Sequence, residues 1–355
     1  MKLRMISFTK NGWELSKIIQ NHMQEWSVSI FTKCSYCKSE RLSDGQGYVE
    51  ESLEAWTAAA MKEKNGLIFI GACGIAIRAI APSVKNKLVD SPVLVIDERG
   101  QFVIPILSGH VGGANALAKE IAGTLGAQAV ITTATDLQHK FSIDMFAKKN
   151  HLMIQEKEGI AKISSKILAG EEVQISVEKN RVCQDANFPK EVKLVSYPPQ
   201  GFVDVVITES MRQYNTSLTL RAKPYVFGIG CRKGKTLEEL RTFFYEMLQE
   251  QGIRKEQVGM LVSVDRKREE EGLLLLSKEE RIPFHTYTAK ELEEVEGVFT
   301  GSQFVKEIIG VDSVCERSAM KACDGKGSLL CRKKVKQGMT GAIAKKEWRI
   351  TWDEE

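Results

Sequence analysis

One histidine stands in a glycine-dense stretch, Ile106-Leu-Ser108-Gly109-His110-Val-Gly112-Gly113-Ala-Asn115. An imidazole titrates near neutral pH, so beside a water or a hydroxyl it can act as a general base. Consecutive glycine amides such as those of Gly112 and Gly113 suit a developing oxyanion. These are the parts of an ester-hydrolysing site, with His110 as its base and with Gly109 and Asn115 beside it against the ligand. Ser108 reads either as a nucleophile or as a turn-capping residue. Ser-Gly-His is not the Gly-x-Ser-x-Gly elbow, and adjacency in sequence does not establish a Ser–His hydrogen bond.

Two further stretches resemble anion sites. Gly71-Ala-Cys-Gly74 follows an apolar run, with Arg78 one turn later and Asp97 at the end of the next strand, 23 residues beyond Gly74. A dinucleotide is one reading, although the spacing is Gly-x-x-Gly and not Gly-x-Gly-x-x-Gly. Gly228-Ile-Gly230-Cys231-Arg232-Lys233-Gly234 combines glycines, two cations and a following helix start, as a carboxylate cradle would, and the cations are expected to lower the pKa of Cys231. Glu316 reads as a ligand contact or, with Ser313 three residues before it, as a capping box. Cys34-Ser-Tyr-Cys37 lacks the second pair a zinc site needs and reads as ordinary loop cysteines.

Elements that position these residues follow from periodicity. Phe102 to Leu107 reads as a strand entering the histidine turn, and Asn115 to Leu125 as an amphipathic helix leaving it. Short apolar runs at Leu67–Ile70, Val93–Asp97 and Ala129–Thr133 alternate with helical patterns. That predicts an α/β fold whose mostly parallel sheet is covered on both faces, with ligand loops at the strand C-termini. From Phe141 the pattern changes to a smaller, less regular unit that shows no catalytic residue. Pro224 ends the alternating run Ser217-Leu-Thr-Leu-Arg221 and marks the next boundary. After it come a strand at Tyr225–Phe227, a glycine turn over Gly228–Gly234, a helix capped by Thr236 and Glu239, helices including 302–309, and two closing strands. Three domains result: an N-terminal one over 1–140, a middle one over 141–223 and a C-terminal one over 224–355. The outer two are α/β/α sandwiches, and the ligand is expected between them.

Composition sets bounds. The 355 residues carry 43% hydrophobic and 27% charged side chains with a net charge of +4, spread without a basic block, so nucleic acid is not an expected partner. No apolar run is long enough for a bilayer and no leader is visible, so the expectation is a cytoplasmic protein without membrane contact. Eight scattered cysteines fit reduced thiols better than a disulfide scaffold.

Together these stretches carry a resemblance. Leu67-Ile-Phe-Ile-Gly71-Ala-Cys-Gly74-Ile-Ala-Ile-Arg78, Asp97-Glu-Arg-Gly100, Leu107-Ser-Gly-His110-Val-Gly-Gly-Ala-Asn115 and Ile131-Thr-Thr-Ala-Thr-Asp136 resemble the N-terminal part of the CbiG family, cobalt-precorrin-5A hydrolases of anaerobic cobalamin synthesis. Gly228–Gly234 with Ser313-Val-Cys-Glu-Arg-Ser-Ala319 resembles that family's C-terminal part, which is similar to the separate protein CobE. The resemblance implies a hydrolase that opens the ring A δ-lactone of a cobalt-bound tetrapyrrole and releases acetaldehyde. Its partner is a cobalt-corrinoid intermediate, with other enzymes of the pathway as neighbours. It implies no cofactor and no protein metal site, since cobalt arrives inside the ring. The macrocycle's carboxylates would then meet the two helix N-termini with Arg78, Arg232 and Lys233, and Gly71, Gly74, Gly230, Cys231 and Glu316 would be further substrate contacts. The rival readings are a tetrapyrrole carrier without catalysis and a dinucleotide-dependent oxidoreductase.

Overall fold

Runs such as Leu67-Ile-Phe-Ile70 are apolar at every position, which suits a strand covered on both faces. The computed structural model describes residues 1–38, 45–86, 89–110, 112–138, 140–183, 187–301 and 310–352, and the chain divides into two units, Met1–Met145 and Phe146–Glu355. The first unit holds β1 (Lys2–Ser7), α1 (Lys10–His22), β2 (Ser27–Thr32), β3 (Gln46–Tyr48), α2 (Leu53–Lys62), β4 (Gly66–Ile70), α3 (Cys73–Ile80), β5 (Val93–Ile96), β6 (Phe102–Leu107), α4 (Ala114–Leu125), β7 (Gln128–Ala129) and α5 (Ala134–Leu137). Its strands form one sheet in the order β3-β2-β1-β4-β5-β6-β7. Alternate strand residues serve alternate faces. Met5, Ile68, Ile70, Leu94 and Ile96 pack with Trp13, Ile19, Leu117 and Ile121 of α1 and α4. Ile6, Leu67, Phe69, Val93 and Val95 pack with Trp56, Ala60, Ala76 and Ala79 of α2 and α3. Cys34 and Cys37 form no disulfide and are buried in the first of these clusters.

One pairing breaks the parallel pattern: β6 runs antiparallel to β5, with Val93 opposite Leu107 and Ile96 opposite Val103. Asp97 holds the reversal, its carboxylate accepting the N–H groups of Arg99 (3.0 Å), Gln101 (2.7 Å) and Phe102 (2.6 Å). Gly71 donates to the Ile96 carbonyl at 2.9 Å, so the loop after β4 lies at the carboxyl edge of the parallel strands. The turn after β6 lies at the amino edge. The strand read over Ala129–Thr133 is ordered as strand only at its start, in β7.

The second unit begins within α6 (Ile143–Lys149) and continues through β8 (Met153–Ile154), α7 (Lys157–Leu168), β9 (Val173–Val177), β10 (Val192–Val195), β11 (Val203–Thr208) and β12 (Thr216–Arg221). These strands form a sheet in the order β10-β9-β11-β12-β8, parallel except for β8. It is a more regular structure than the residue pattern announces, because the edge strand β10, with Lys193 and Leu194 exposed, carries no apolar alternation. Then follow β13 (Tyr225–Cys231), α8 (Leu237–Glu250), β14 (Val258–Val264), α9 (Glu271–Glu280), β15 (Phe284–Tyr287), α10 (Ala289–Glu293), α11 (Val314–Lys321), β16 (Gly327–Lys336) and β17 (Met339–Lys346). Their sheet order is β15-β14-β13-β17-β16, with α8 and α9 packed on one face and α11 on the other. Thr236 and Glu239 form the expected capping box on α8. The helix read over 302–309 lies outside the described residues. Glu209 ties the two sheets of this unit together, accepting from Lys345 at 2.5 Å and from Trp348 Nε1 at 2.7 Å.

The glycine turn read over Gly228–Gly234 is a correction. β13 runs through Cys231, and Gly228 is a strand residue over which α11 crosses: a Cβ there would lie 1.9 Å from the Cys315 carbonyl oxygen. The glycine serves a close approach and not a turn.

Glu316 is a second correction. It is fully buried and accepts from the Thr300 N–H (2.5 Å), the Thr300 hydroxyl (2.9 Å), the Ser313 hydroxyl (3.2 Å) and the Lys333 N–H (2.8 Å). Its carboxylate is occupied within the fold. Nor is there a capping box, since the Ser313 hydroxyl donates to the Glu316 carboxylate and makes no cap bond to the helix. Burial alone pushes this carboxyl up, but four donors outweigh burial and hold it below the usual value of 4.5. A depressed carboxyl stabilises the fold above its unfolded pKa, and the contribution is lost as pH falls through the folded value. Glu316→Gln should therefore cost about 2–3 kcal/mol at neutral pH. In urea unfolding the gap to the wild type should narrow as the pH is taken below 4.5; a gap independent of pH would contradict this account. Asp97→Ala, which removes the three turn bonds at a half-exposed site, should cost about 1–2 kcal/mol in the same measurement.

Candidate functional site

At the amino edge, β6 delivers the chain to Ser108, whose φ of 56° lies in the left-handed region that residues with side chains rarely occupy. The loop then closes on itself. The Ser108 carbonyl accepts the Ala114 N–H (3.1 Å), that of Gly109 the Asn115 N–H (3.0 Å) and that of His110 the Gly113 N–H (2.9 Å). The Ala114 and Asn115 amides that open α4 are thus taken by loop carbonyls, which removes them from the anion site expected there. Gly113 does not donate to an oxyanion in this conformation, so the expected Gly112/Gly113 pair is incomplete.

What the loop leaves over is a side chain. Gly112 lies so close to Ser108 that a Cβ on it would stand 2.3 Å from the serine Cβ. Ser108 is 9% exposed and its hydroxyl has no hydrogen-bond partner among the described residues. Its carbonyl closes the turn, but its hydroxyl caps nothing. His110 is half-buried in the same loop. Asn115 lies against Gly109 and donates from Nδ2 to the Thr133 hydroxyl at 3.1 Å. Thr133 belongs to Ile131-Thr-Thr-Ala-Thr-Asp136, so two stretches separated in sequence meet at this edge. Ser91 lies toward the same edge: it is 5% exposed, its hydroxyl lacks a partner among the described residues, and it precedes by two residues the Val93 that pairs with Leu107. Sequence reasoning missed Ser91, because a lone serine before a proline carries no pattern.

The carboxyl edge of the same sheet holds the Gly71 loop. The strand order changes direction between β1 and β4, the switch point at which open α/β sheets bind ligands. Gly71 packs against Phe8, and the exposed Arg78 folds its guanidinium back over Gly74, 3.6 Å from where a Cβ would stand. Asp97, the acid a dinucleotide ribose would need, is committed to the β5–β6 turn. Ser108, Gly109, His110, Gly112, Gly113 and Asn115 therefore gather at one edge of the sheet and Gly71, Gly74 and Arg78 at the other.

In the third sheet, Gly230 is a β13 residue and Cys231 its last. Burial pushes the Cys231 thiol above its usual 9.0 despite the pull of Lys267 and Lys235, which reverses the expected lowering. The Arg232 N–H donates to the Gly338 carbonyl at 2.9 Å. The Gly234 N–H (2.7 Å) and Lys267 (2.6 Å) already hold the chain's own Glu270, so the cradle read from the sequence is filled from within. What remains is a cationic rim. Arg232, Lys233 and Lys235 follow β13, and Arg266, Lys267 and Arg268 follow its neighbour β14. Lys235 pairs with Glu239 and Lys267 with Glu270, while Arg232 and Lys233 extend exposed. Only the strand order brings the second triplet beside the first, which is why the sequence reading missed it. Such a rim suits a polycarboxylate.

Residues 55–136 match the family model described as cobalamin synthesis G N-terminal, and residues 225–344 match the one described as cobalamin synthesis G C-terminus. The chain is 35% identical over 310 residues to the cobalt-precorrin-5A hydrolase of Salmonella typhimurium, covering 83% of this chain and 84% of that protein. It is 28% identical over 354 residues to the cobalt-precorrin-5A hydrolase of Priestia megaterium, covering 96% and 94%. To protein CobE of a Sinorhizobium species it is 25% identical over 133 residues, covering 37% of this chain and 86% of that one. The two edges of the first sheet fall within the first match and the cationic rim within the second. The chain belongs to the cobalamin synthesis G, or CbiG, family and has its role in cobalamin biosynthesis.

Proposed function

We propose that the chain is a hydrolase that opens the ring A δ-lactone of cobalt-precorrin-5A, giving cobalt-precorrin-5B and acetaldehyde, in the anaerobic route to cobalamin in the cytoplasm. The observation that carries this reading is the meeting of the Ser108–Asn115 and Ile131–Asp136 stretches through the Asn115–Thr133 hydrogen bond, at an edge that presents a histidine and unemployed hydroxyls. The likeness to relatives named cobalt-precorrin-5A hydrolase supports it.

His110 takes a proton from water, which adds to the lactone carbonyl. Ser108, left without a structural bond, donates to the tetrahedral oxyanion in place of the Gly113 amide. Collapse expels the ring oxygen as an alcohol on the departing carbon. Deprotonation of that alcohol breaks the adjacent carbon–carbon bond in retro-aldol fashion, the conjugated macrocycle takes up the electrons, and the fragment leaves as acetaldehyde. Both deprotonations fall to one imidazole. Cobalt is part of the substrate throughout. Acetate and propionate side chains are groups that exposed cations pair with, and the rim of the second unit offers Arg232 and Lys233.

His110→Ala should lower kcat for acetaldehyde release by about 10²- to 10⁴-fold with KM little changed. Ser108→Ala should lower it by about 10²-fold. Turnover measured with purified protein and substrate tests both. Full activity of the histidine variant removes His110 as base, and no acetaldehyde from the wild type leaves a carrier.

A further inference from the structure

The last residues of the chain leave the sheet they have just completed. β17 is paired with β13 from Met339 to Lys345, and the Glu347 N–H donates to the Lys326 carbonyl, beside β16, at 2.8 Å. From Trp348 to Trp352 the partners lie instead in the middle part of the chain. Trp348 Nε1 donates to Glu209 at 2.7 Å, and the Arg181 guanidinium lies 4.9 Å over the indole. The Ile350 N–H donates to the Arg181 carbonyl at 2.8 Å, in an isolated parallel bridge with Val182. Asn150 exchanges two bonds with Thr351: its Oδ1 accepts the Thr351 N–H at 2.8 Å and its Nδ2 donates to the Thr351 carbonyl at 3.0 Å. Trp352 stacks on Phe146 with ring centroids 4.4 Å apart and meets Phe188 edge-on at 5.5 Å.

This is the pattern of a strand without a ladder. Glu347 and Arg349 are exposed while Trp348, Ile350 and Trp352 turn inward, the alternation of an extended segment with one covered face. Ile350 is fully buried and Trp352 is 4% exposed. Burying an indole and a branched aliphatic chain holds so short a segment in place. Backbone bonding is sparse by comparison, and a segment held mainly by side chains opens locally at lower cost than a paired strand such as β17. Asn150 and Thr351 stand 201 residues apart, so their contact closes a loop at an entropic cost that no local pairing offsets. What the segment grips is the end of α6, through Phe146 and Asn150, and the connection that leaves β9, through Arg181, Val182 and Phe188.

We infer that residues 348–352 form a latch, whose docking fixes the end of α6 and the connection after β9 and whose release loosens both while the third sheet stays folded. Neither matched stretch, 55–136 or 225–344, contains the latch or a residue it docks on. The middle part of the second unit is thus completed by the last residues of the chain, and the third sheet is complete without them.

Hydrogen exchange of the full-length protein, read by mass spectrometry, tests the latch. In Trp352→Ala the amides over 146–152 and 178–183 should exchange at least about tenfold faster than in the wild type, with those of β13, α8 and β14 within a factor of about two. Asn150→Ala, a half-buried change that leaves the indole stack in place, should give the same pattern with a smaller amplitude, and it keeps the test valid if the tryptophan variant does not fold. In that variant the response over 178–183 is decisive, because Asn150 also donates to the Phe146 carbonyl at 3.0 Å and its loss loosens the end of α6 directly. Equal acceleration over β13, α8 and β14 overturns the latch, since the segment would then support the whole unit. Unchanged exchange over 178–183 in both variants overturns it too, since docking would then fix nothing beyond its own contacts.

Discussion

Three backbone N–H groups gathered on the Asp97 carboxylate decide where the chemistry of the N-terminal unit is placed. With β5 and β6 joined by so tight a turn, β6 has to run back along its neighbour. Its far end then emerges beside Val93, at the edge where the parallel strands begin. Everything downstream inherits that direction. α4 starts at the amino edge, β7 points toward it, and Thr133 is carried into reach of Asn115. Had the β5–β6 connection been a parallel crossover, His110 would stand at the edge that holds Gly71.

The loop at that edge follows a rule that also governs the cationic rim: backbone donors are used up internally. Ala114, Asn115 and Gly113 donate to loop carbonyls, and Gly234 donates to Glu270. A loop bonded in this way presents side chains where open amides were expected. Among the described residues, the buried side-chain atoms left without a hydrogen-bond partner include the hydroxyls of Ser108, Ser91 and Thr57 and the Trp56 indole N–H in the first unit and Arg221 Nη1 in the second. Buried polar groups normally find partners, so these exceptions call for a reason. The strained φ at Ser108 sharpens the point, since a serine with no side-chain bond to gain has no local cause to be left-handed.

Much of the fold was legible in the residues. Leu67–Ile70 and Val93–Ile96 announce buried strands because every position is apolar, and Thr236 with Glu239 marks a helix start to the residue. Strand direction was not legible, because parallel and antiparallel neighbours are chosen by pairing partners far apart in sequence and leave the same apolar run. Gly228 and Gly230 were misread for a related reason: a glycine that admits a crossing helix looks the same in sequence as one that makes a turn. Cys231 was misjudged because neighbouring cations are visible in sequence while burial, the stronger effect, is not. Arg221 passed as the end of an alternating strand, since nothing local reveals that the strand's last side chain is buried.

The separation of the two edges bears on how much the proposed reaction asks of the site. β5 is a four-residue strand, so about 10 Å of backbone at about 3.3 Å per residue lies between the His110 and Gly71 loops, with helices packed on both faces. Arg78 therefore takes no part in proton transfer at His110. Both proton abstractions in the reaction fall on oxygens of the same lactone, first an attacking water and then the released hydroxyl, a few bonds apart. One imidazole that returns its first proton to the collapsing intermediate is again a base for the second step. On the proposed mechanism a single histidine can therefore serve both steps in turn.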